Sequence, residues 1–310
     1  MTLPGPAVLW TLGGLYVFLI AATALARIGD PGGEIVTRIR SWWGIVGLFT
    51  VALLSVGWLG SWVVLTVLLA FVSFLALKEY LTIIPTRMAD RRVLVWLYLA
   101  IPLQFWFIYV EDYGMFMVLI PIYLLLWLPM TMVLTGETRG FLNAVGTLQW
   151  GAMMTVFSLG HLAFLVRLPG DVDGGLGLLL YVLLVTELND VAQFLWGRLL
   201  GRVRIAPRIS PGKSAEGLIG GVLTTTALSI GLGALLTPMR WWEAATVGLL
   251  LSVTGFVGDL TVSAIKRDLR IKDSGAAIPG HGGILDRVDS LTYAAPLFFH
   301  IIRFLYYLPG

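Results

Sequence analysis

The uncharged run of residues 42–77, WWGIVGLFTVALLSVGWLGSWVVLTVLLAFVSFLAL, decides what kind of molecule this is. About 20 apolar residues cross the hydrocarbon core of a bilayer as a helix, so the run is too long for one crossing. Gly57, Gly60 and Ser61 offer a turn near its middle. We therefore read two spans, near 43–57 and 61–77; one long tilted helix would be the alternative. Hydrophobicity is continuous here rather than alternating, which disfavours a transmembrane barrel.

Working outward, further apolar runs lie near 7–26, 93–110, 113–135, 145–166, 176–197, 217–237, 243–265 and 290–308. The expected fold is all-α, a polytopic integral membrane protein of nine or ten spans. Composition agrees, with 58% hydrophobic and 13% charged residues in 310. Adding the glycines brings the apolar share to roughly 70%, against about 45–50% for a soluble domain. A soluble globular enzyme, a disordered chain and a soluble repeat protein are excluded. There is no cysteine, which removes disulfides, thiolate catalysis and Cys-based zinc or iron–sulfur sites. His161, His281 and His300 are too scattered for a histidine-rich metal site.

The basic residues set the orientation. With ten spans, all of the 21 Lys and Arg except Arg167, Arg240 and Arg303 fall on one side. By the positive-inside rule that side is cytoplasmic. The first run is followed by Arg27 and preceded by no basic residue, so it is expected to be a retained helix with its amino end outside. Function divides near residue 170. Residues 1–170 form a multi-span hydrophobic region in which aromatics such as Trp42, Trp43, Trp106 and Trp127 serve packing or interface anchoring. Residues 171–310 carry the polar groups.

An acid at the bilayer centre costs about 2.5–3.5 kcal/mol on insertion scales, so such residues point to function. Glu187 and Asp190 share one face of the seventh span, beside Asn189, and Asp259 lies late in the ninth. Ser263 and Lys266 follow Asp259 at i+4 and i+7, giving one helical stripe an acid, a hydroxyl and an amine. The plainer reading of that stripe is a helix-end ion pair with a snorkelling lysine. The chain continues through Arg267, Arg270, Lys272 and Asp273 to Pro279-Gly280-His281-Gly282-Gly283, then Ile-Leu-Asp286-Arg287-Val-Asp289. Gly282 and Gly283 allow a ligand close to the backbone, and their amides could form an anion nest. Asp286 and Asp289 suit a helix amino end; with Asp259 they could instead hold a hard cation beside a polyphosphate. Two spans earlier, and so on the same side, lies a second loop: Gly197, Arg198, Arg202, Arg204, Arg208, then Ser210-Pro-Gly-Lys213-Ser-Ala-Glu216-Gly217 and Gly220-Gly221. It lacks the first glycine of a phosphate-binding Gly-x4-Gly-Lys-Ser/Thr loop. Its arginines could equally lie on anionic lipid.

These two regions resemble the phosphatidate cytidylyltransferases, or CDP-diacylglycerol synthases. Ser263 to Asp289 is similar to the family signature, Ser-x-aliphatic-Lys-Arg-x4-Lys-Asp-x-small followed by His-Gly-Gly-aliphatic-x-Asp-Arg-aliphatic-Asp, with every position filled in register. The resemblance spans roughly residues 180–292. It implies that CTP and a lipid phosphate, phosphatidate or a relative, give a CDP-lipid and pyrophosphate. It further implies Asp259, Asp286 and Asp289 as ligands of Mg2+, with a second cation open. Lys266 and Ser263 would contact the reacting phosphates, and Arg267 and Lys213, with Ser210, would hold polyphosphate. Gly282 and Gly283 would line its path, His281 would orient a phosphate or the loop, and Asp190 would serve metal or cytidine. Expected partners are CTP, the lipid phosphate and membrane lipids, with no nucleic acid; a second copy of the chain is a candidate. The rival readings are a CTP-dependent membrane lipid kinase and a lipid or ion transporter. A transporter fits poorly, because the polar residues gather at one membrane face and no broken-helix pair recurs in two halves.

Overall fold

The computed structural model describes residues 4–29, 33–168, 172–280 and 282–307, and these contain helices and loops but no β-strand. Nine of the described helices are long and apolar enough to cross a membrane. They are α1 (Pro6–Ile28), α2 (Ile35–Leu59), α3 (Val63–Ile83), α4 (Met88–Tyr109) and α5 (Tyr113–Val133), followed by α6 (Phe141–Leu165), α7 (Gly174–Leu200), α8 (Ala215–Leu236) and α9 (Trp241–Asp268). A tenth, shorter helix α10 (Leu291–Ile302) continues into a π-helical turn, Arg303–Tyr307.

The long uncharged run does split. Gly60 ends α2 in the left-handed region at φ 58°, which glycine adopts without strain, and the Ser61 hydroxyl accepts the Val63 amide at 3.3 Å. Several helices run beyond the expected bounds, α3 as far as Ile83 and α7 as far as Leu200, and two of the extensions carry basic residues. Helix α2 is helical from Glu34, so Arg38 and Arg40 lie in its first turns, and α9 reaches Asp268, taking Lys266 and Arg267 into its last turn. Basic residues suit a helix carboxyl end.

Packing within the membrane uses small residues and polar bridges. With lipid on the outside there is no hydrophobic drive between helices, so close backbone approach and interhelical hydrogen bonds hold the bundle. A Cβ on Gly221 would sit 2.3 Å from Gln193 Cγ, and one on Gly217 would sit 2.8 Å from the Gln193 carbonyl, so α7 and α8 cross almost backbone to backbone. Asn189, fully buried, joins three helices: its amide donates to the Ser252 carbonyl at 3.2 Å, and its oxygen accepts from Thr225 at 3.2 Å and Ser252 at 2.5 Å. Helix α6 is the most enclosed, and α10 packs beside it with Phe299 edge-on to His161 and Phe164, while Phe298 stacks on Tyr181 of α7. The amino ends of α2 and α8, the carboxyl ends of α3, α7 and α9, and the approach to α10 all meet at one end of the bundle, because Ser41 bonds Pro279, Glu79 bonds Leu285 and Arg267 bonds Ile209.

Candidate active site

The two motif loops meet at that end, and the site has two tiers. Helix α9 runs out of the membrane through Asp259, Ser263 and Lys266, while the turn Leu285–Val288 runs back in through Asp286 and Asp289. Antiparallel strips of this kind pair the outermost residues with each other and the innermost with each other. In the outer tier Lys266 Nζ lies 2.7 Å from Asp286 Oδ1. The other Asp286 oxygen accepts the Ser274 amide at 2.9 Å, the Ser274 hydroxyl at 3.0 Å and the Gly283 amide at 3.1 Å. Burial raises the Asp286 carboxyl, but the Lys266 hydrogen bond and these two amides outweigh it and leave its pKa below the usual aspartate value.

The inner tier is built on Lys213, whose Nζ lies 2.6 Å from Asp259 Oδ2, 3.4 Å from Gln193 Oε1 and 5.5 Å from the Phe256 ring. Ser263 donates to Asp259 Oδ1 at 3.2 Å. Asp190, Asp259 and Asp289 lie within electrostatic reach of one another and of Lys213. Burial lowers the Lys213 ammonium pKa, but the charges of Asp259 and Asp190 more than offset this and raise it. Ser290 ties two of the acids together: its hydroxyl donates to Asp190 Oδ2 at 2.9 Å and its amide to Asp289 Oδ1 at 2.8 Å. Arg287 turns inward within reach of Glu187, Asp190 and Asp289, which accounts for an arginine between the two signature acids.

Among the described residues no three acids or histidines stand close enough together to hold a metal ion as they are placed. The carboxylates that the structure groups are Asp190, Asp259 and Asp289, whereas Asp286, read from the sequence as the third ligand, spends both oxygens on Lys266 and the loop. The inner set is all hard oxygen, and Asp190 Oδ1 is buried without a hydrogen-bond partner. By donor type this set suits a divalent cation such as Mg2+, with Lys213 filling part of that counter-charge in this structure.

Several other expected residues sit differently. Arg267 Nε donates to the Ile209 carbonyl at 3.0 Å and its Nη1 to the Ile271 carbonyl at 3.1 Å, so it ties the two motif loops together. Ser210 shapes its own turn, its amide donating to Ala206 at 2.8 Å and its carbonyl accepting from Lys213 at 3.1 Å. Ser214 caps α8 by accepting the Gly217 amide at 3.1 Å, which fixes the direction in which Lys213 leaves the loop. Gly282 adopts φ 81°, and a Cβ there would meet Asp286 Oδ2 at 2.8 Å. A Cβ on Gly283 would meet Glu79 Oε2 at 2.3 Å. The Gly283 amide serves Asp286 rather than an open anion nest. His281 lies outside the described residues.

Two contributors come from the first half of the chain and were not foreseen. Glu79, near the end of α3, accepts the Leu285 amide at 2.8 Å and the Ser274 hydroxyl at 3.2 Å. Ser41 on α2 donates to the Pro279 carbonyl at 2.8 Å.

This combination, a polytopic helical bundle with lysines and hard carboxylates converging at one membrane end, defines a membrane-embedded transferase of anionic substrates. A sequence profile of the cytidylyltransferase family matches residues 36–305. The chain belongs to that family and is a nucleotidyltransferase. It is 44% identical over 304 residues to "Uncharacterized protein YnbB" of Escherichia coli (strain K12), covering 96% of this chain and 99% of that one. It is 35% identical over 189 residues to the phosphatidate cytidylyltransferase of Brucella suis biovar 1 (strain 1330), covering 56% and 70%. The corresponding protein of Staphylococcus haemolyticus (strain JCSC1435) is 41% identical over 124 residues, covering 40% and 48%.

Proposed function

We propose that the protein makes CDP-diacylglycerol from CTP and phosphatidate at the cytoplasmic face of the membrane. The observation that carries this reading is the inner tier, where Lys213 of one motif meets Asp259 of the other at 2.6 Å. In the reaction a phosphate oxygen of the lipid attacks the α-phosphorus of CTP, the bond to the β-phosphate breaks, and pyrophosphate leaves with the electron pair. The nucleophile is already an anion, so no strong base is needed; the obstacle is bringing two anions together. Lys213 and Lys266 relieve that repulsion. Ser263 holds Asp259 in position, and Arg267 steadies the two loops against each other. Asp190, Asp259 and Asp289 would hold Mg2+, which when bound supplies positive charge against the polyphosphate.

The test is incubation of the purified protein in lipid–detergent micelles with phosphatidate and CTP labelled at the α- or the γ-phosphate. We expect α-label in a CDP-lipid and γ-label in pyrophosphate. Replacing Asp259 or Asp289 by Asn should lower turnover about 100-fold, which is about 2.7 kcal/mol of transition-state stabilisation. Transfer of γ-label to lipid would make the enzyme a kinase, and no lipid labelling at all would overturn the reading.

A further inference from the structure

We propose that Glu79, a carboxylate from the hydrophobic first half, is a positioning residue of the transfer reaction. It holds the signature loop so that Lys266, Asp286 and Asp289 keep their places; the proposal rests on the cytidylyltransferase reading of those residues.

The loop closes around this one side chain. Glu79 Oε2 accepts the Leu285 amide at 2.8 Å and the Ser274 hydroxyl at 3.2 Å, gripping both ends of the segment between them. The loop backbone also packs directly on the carboxylate. A Cβ on Gly283 would lie 2.3 Å from Oε2, and one on Gly275 would lie 3.0 Å from Oε1. Ser274 Oγ lies 3.0 Å from Asp286 Oδ2 as well, so its single proton is shared between the two carboxylates and Glu79 stands one residue removed from the acid that pairs with Lys266. Leu285 begins the turn from which Asp286 and Asp289 project.

Nothing local explains an acid at position 79. It sits in the last turns of α3, where the helix dipole disfavours negative charge, and its neighbour Lys78 is exposed. A plain helix-end carboxylate would turn outward to water. This one turns to the loop, where an acceptor-only group meets an amide and a hydroxyl. A glutamine could keep its one acceptor oxygen at the Oε2 position but would lose the charge and put its NH2 at the Oε1 position, beside Gly275.

The full chain, purified in detergent–lipid micelles, tests this with two readouts. The first is the kcat and the KM for CTP and lipid of CDP-lipid formation. The second is independent of activity: a nitroxide on Ala276→Cys, the single cysteine in a chain that has none, reports loop mobility by its spectral line shape. Glu79→Ala should lower kcat at least 30-fold and raise the mobile spectral fraction several-fold, and Glu79→Gln should fall between it and the parent. Tyr80→Phe, which loses the adjacent bond to the Thr147 carbonyl, controls for damage to α3 and should change neither readout more than twofold. Unchanged mobility in both Glu79 variants overturns the proposal, as does a mobile loop with full kcat, or an equal loss in Tyr80→Phe. If the parent protein forms no CDP-lipid, the functional reading fails, while the spectra still decide whether Glu79 holds the loop.

Discussion

At Lys213 one ammonium faces Asp259 directly and senses Asp190 and Asp289 behind it. Both partners of the pair keep about a fifth of their side-chain surface exposed, 20% each, so water screens the attraction without removing it. Removing the lysine leaves three acids with reduced counter-charge, and removing one partner of a buried pair is worse than removing both. Lys213→Met should therefore lower both thermal stability and turnover. Lys213→Met/Asp259→Asn should recover part of the stability, with a coupling of about 1–3 kcal/mol, while turnover stays low. Thermal unfolding in micelles, run beside the transfer assay, checks both expectations. A double variant no more stable than Lys213→Met would mean that the two side chains are not coupled.

Between helices, the spacing of the acids depends on a glycine. A Cβ on Gly258 would stand 2.5 Å from the Asp289 carbonyl and 3.2 Å from Ser290 Cα, both backbone atoms that cannot swing aside. Gly258→Ala should push the 285–290 turn away from α9, costing about 1–3 kcal/mol as overpacking does and lowering turnover at least tenfold in a protein that still inserts. Gly231→Ala, with nothing within 4 Å, should be neutral in the same assay. The elements themselves were legible in the sequence, since apolar runs of bilayer length and the turn formers at Gly57–Ser61 report on local physics. So were the two motif loops, whose residues cluster along the chain. What the sequence hid was the register across helices. Asp259, Asp286 and Asp289 look like one set on paper, yet antiparallel packing gives Asp286 to Lys266 and brings Asp190 in from α7. Glu79 was invisible because an acid at a span's end reads the same whether it meets water or folds inward. Its one signal was charge of the wrong sign for a helix carboxyl end.

For the molecule as a whole, the proposed cytoplasmic orientation of the site end rests on its basic loops and is open to direct test. Cysteines at Arg204 and Ala276 should react with an impermeant maleimide in inverted vesicles, which expose the cytoplasmic face, and not in intact cells. A cysteine at Val110, which is 46% exposed in the turn between α4 and α5, should react only from the other side. Labelling of the two sets from one side would break the topology. The grip of the early helices on the late loop has a further consequence, for biogenesis. Glu79 meets Ser274 and Leu285 across 195 and 206 residues of chain, and Ser41 meets Pro279 across 238. A ribosome delivers the chain amino end first, and contacts this distant in sequence form last. Until translation passes residue 289, a nascent chain holds the first motif and most of the bundle but not the second half of the proposed centre, so on this reading the growing polypeptide should be inert toward nucleotide while it is being threaded into the bilayer.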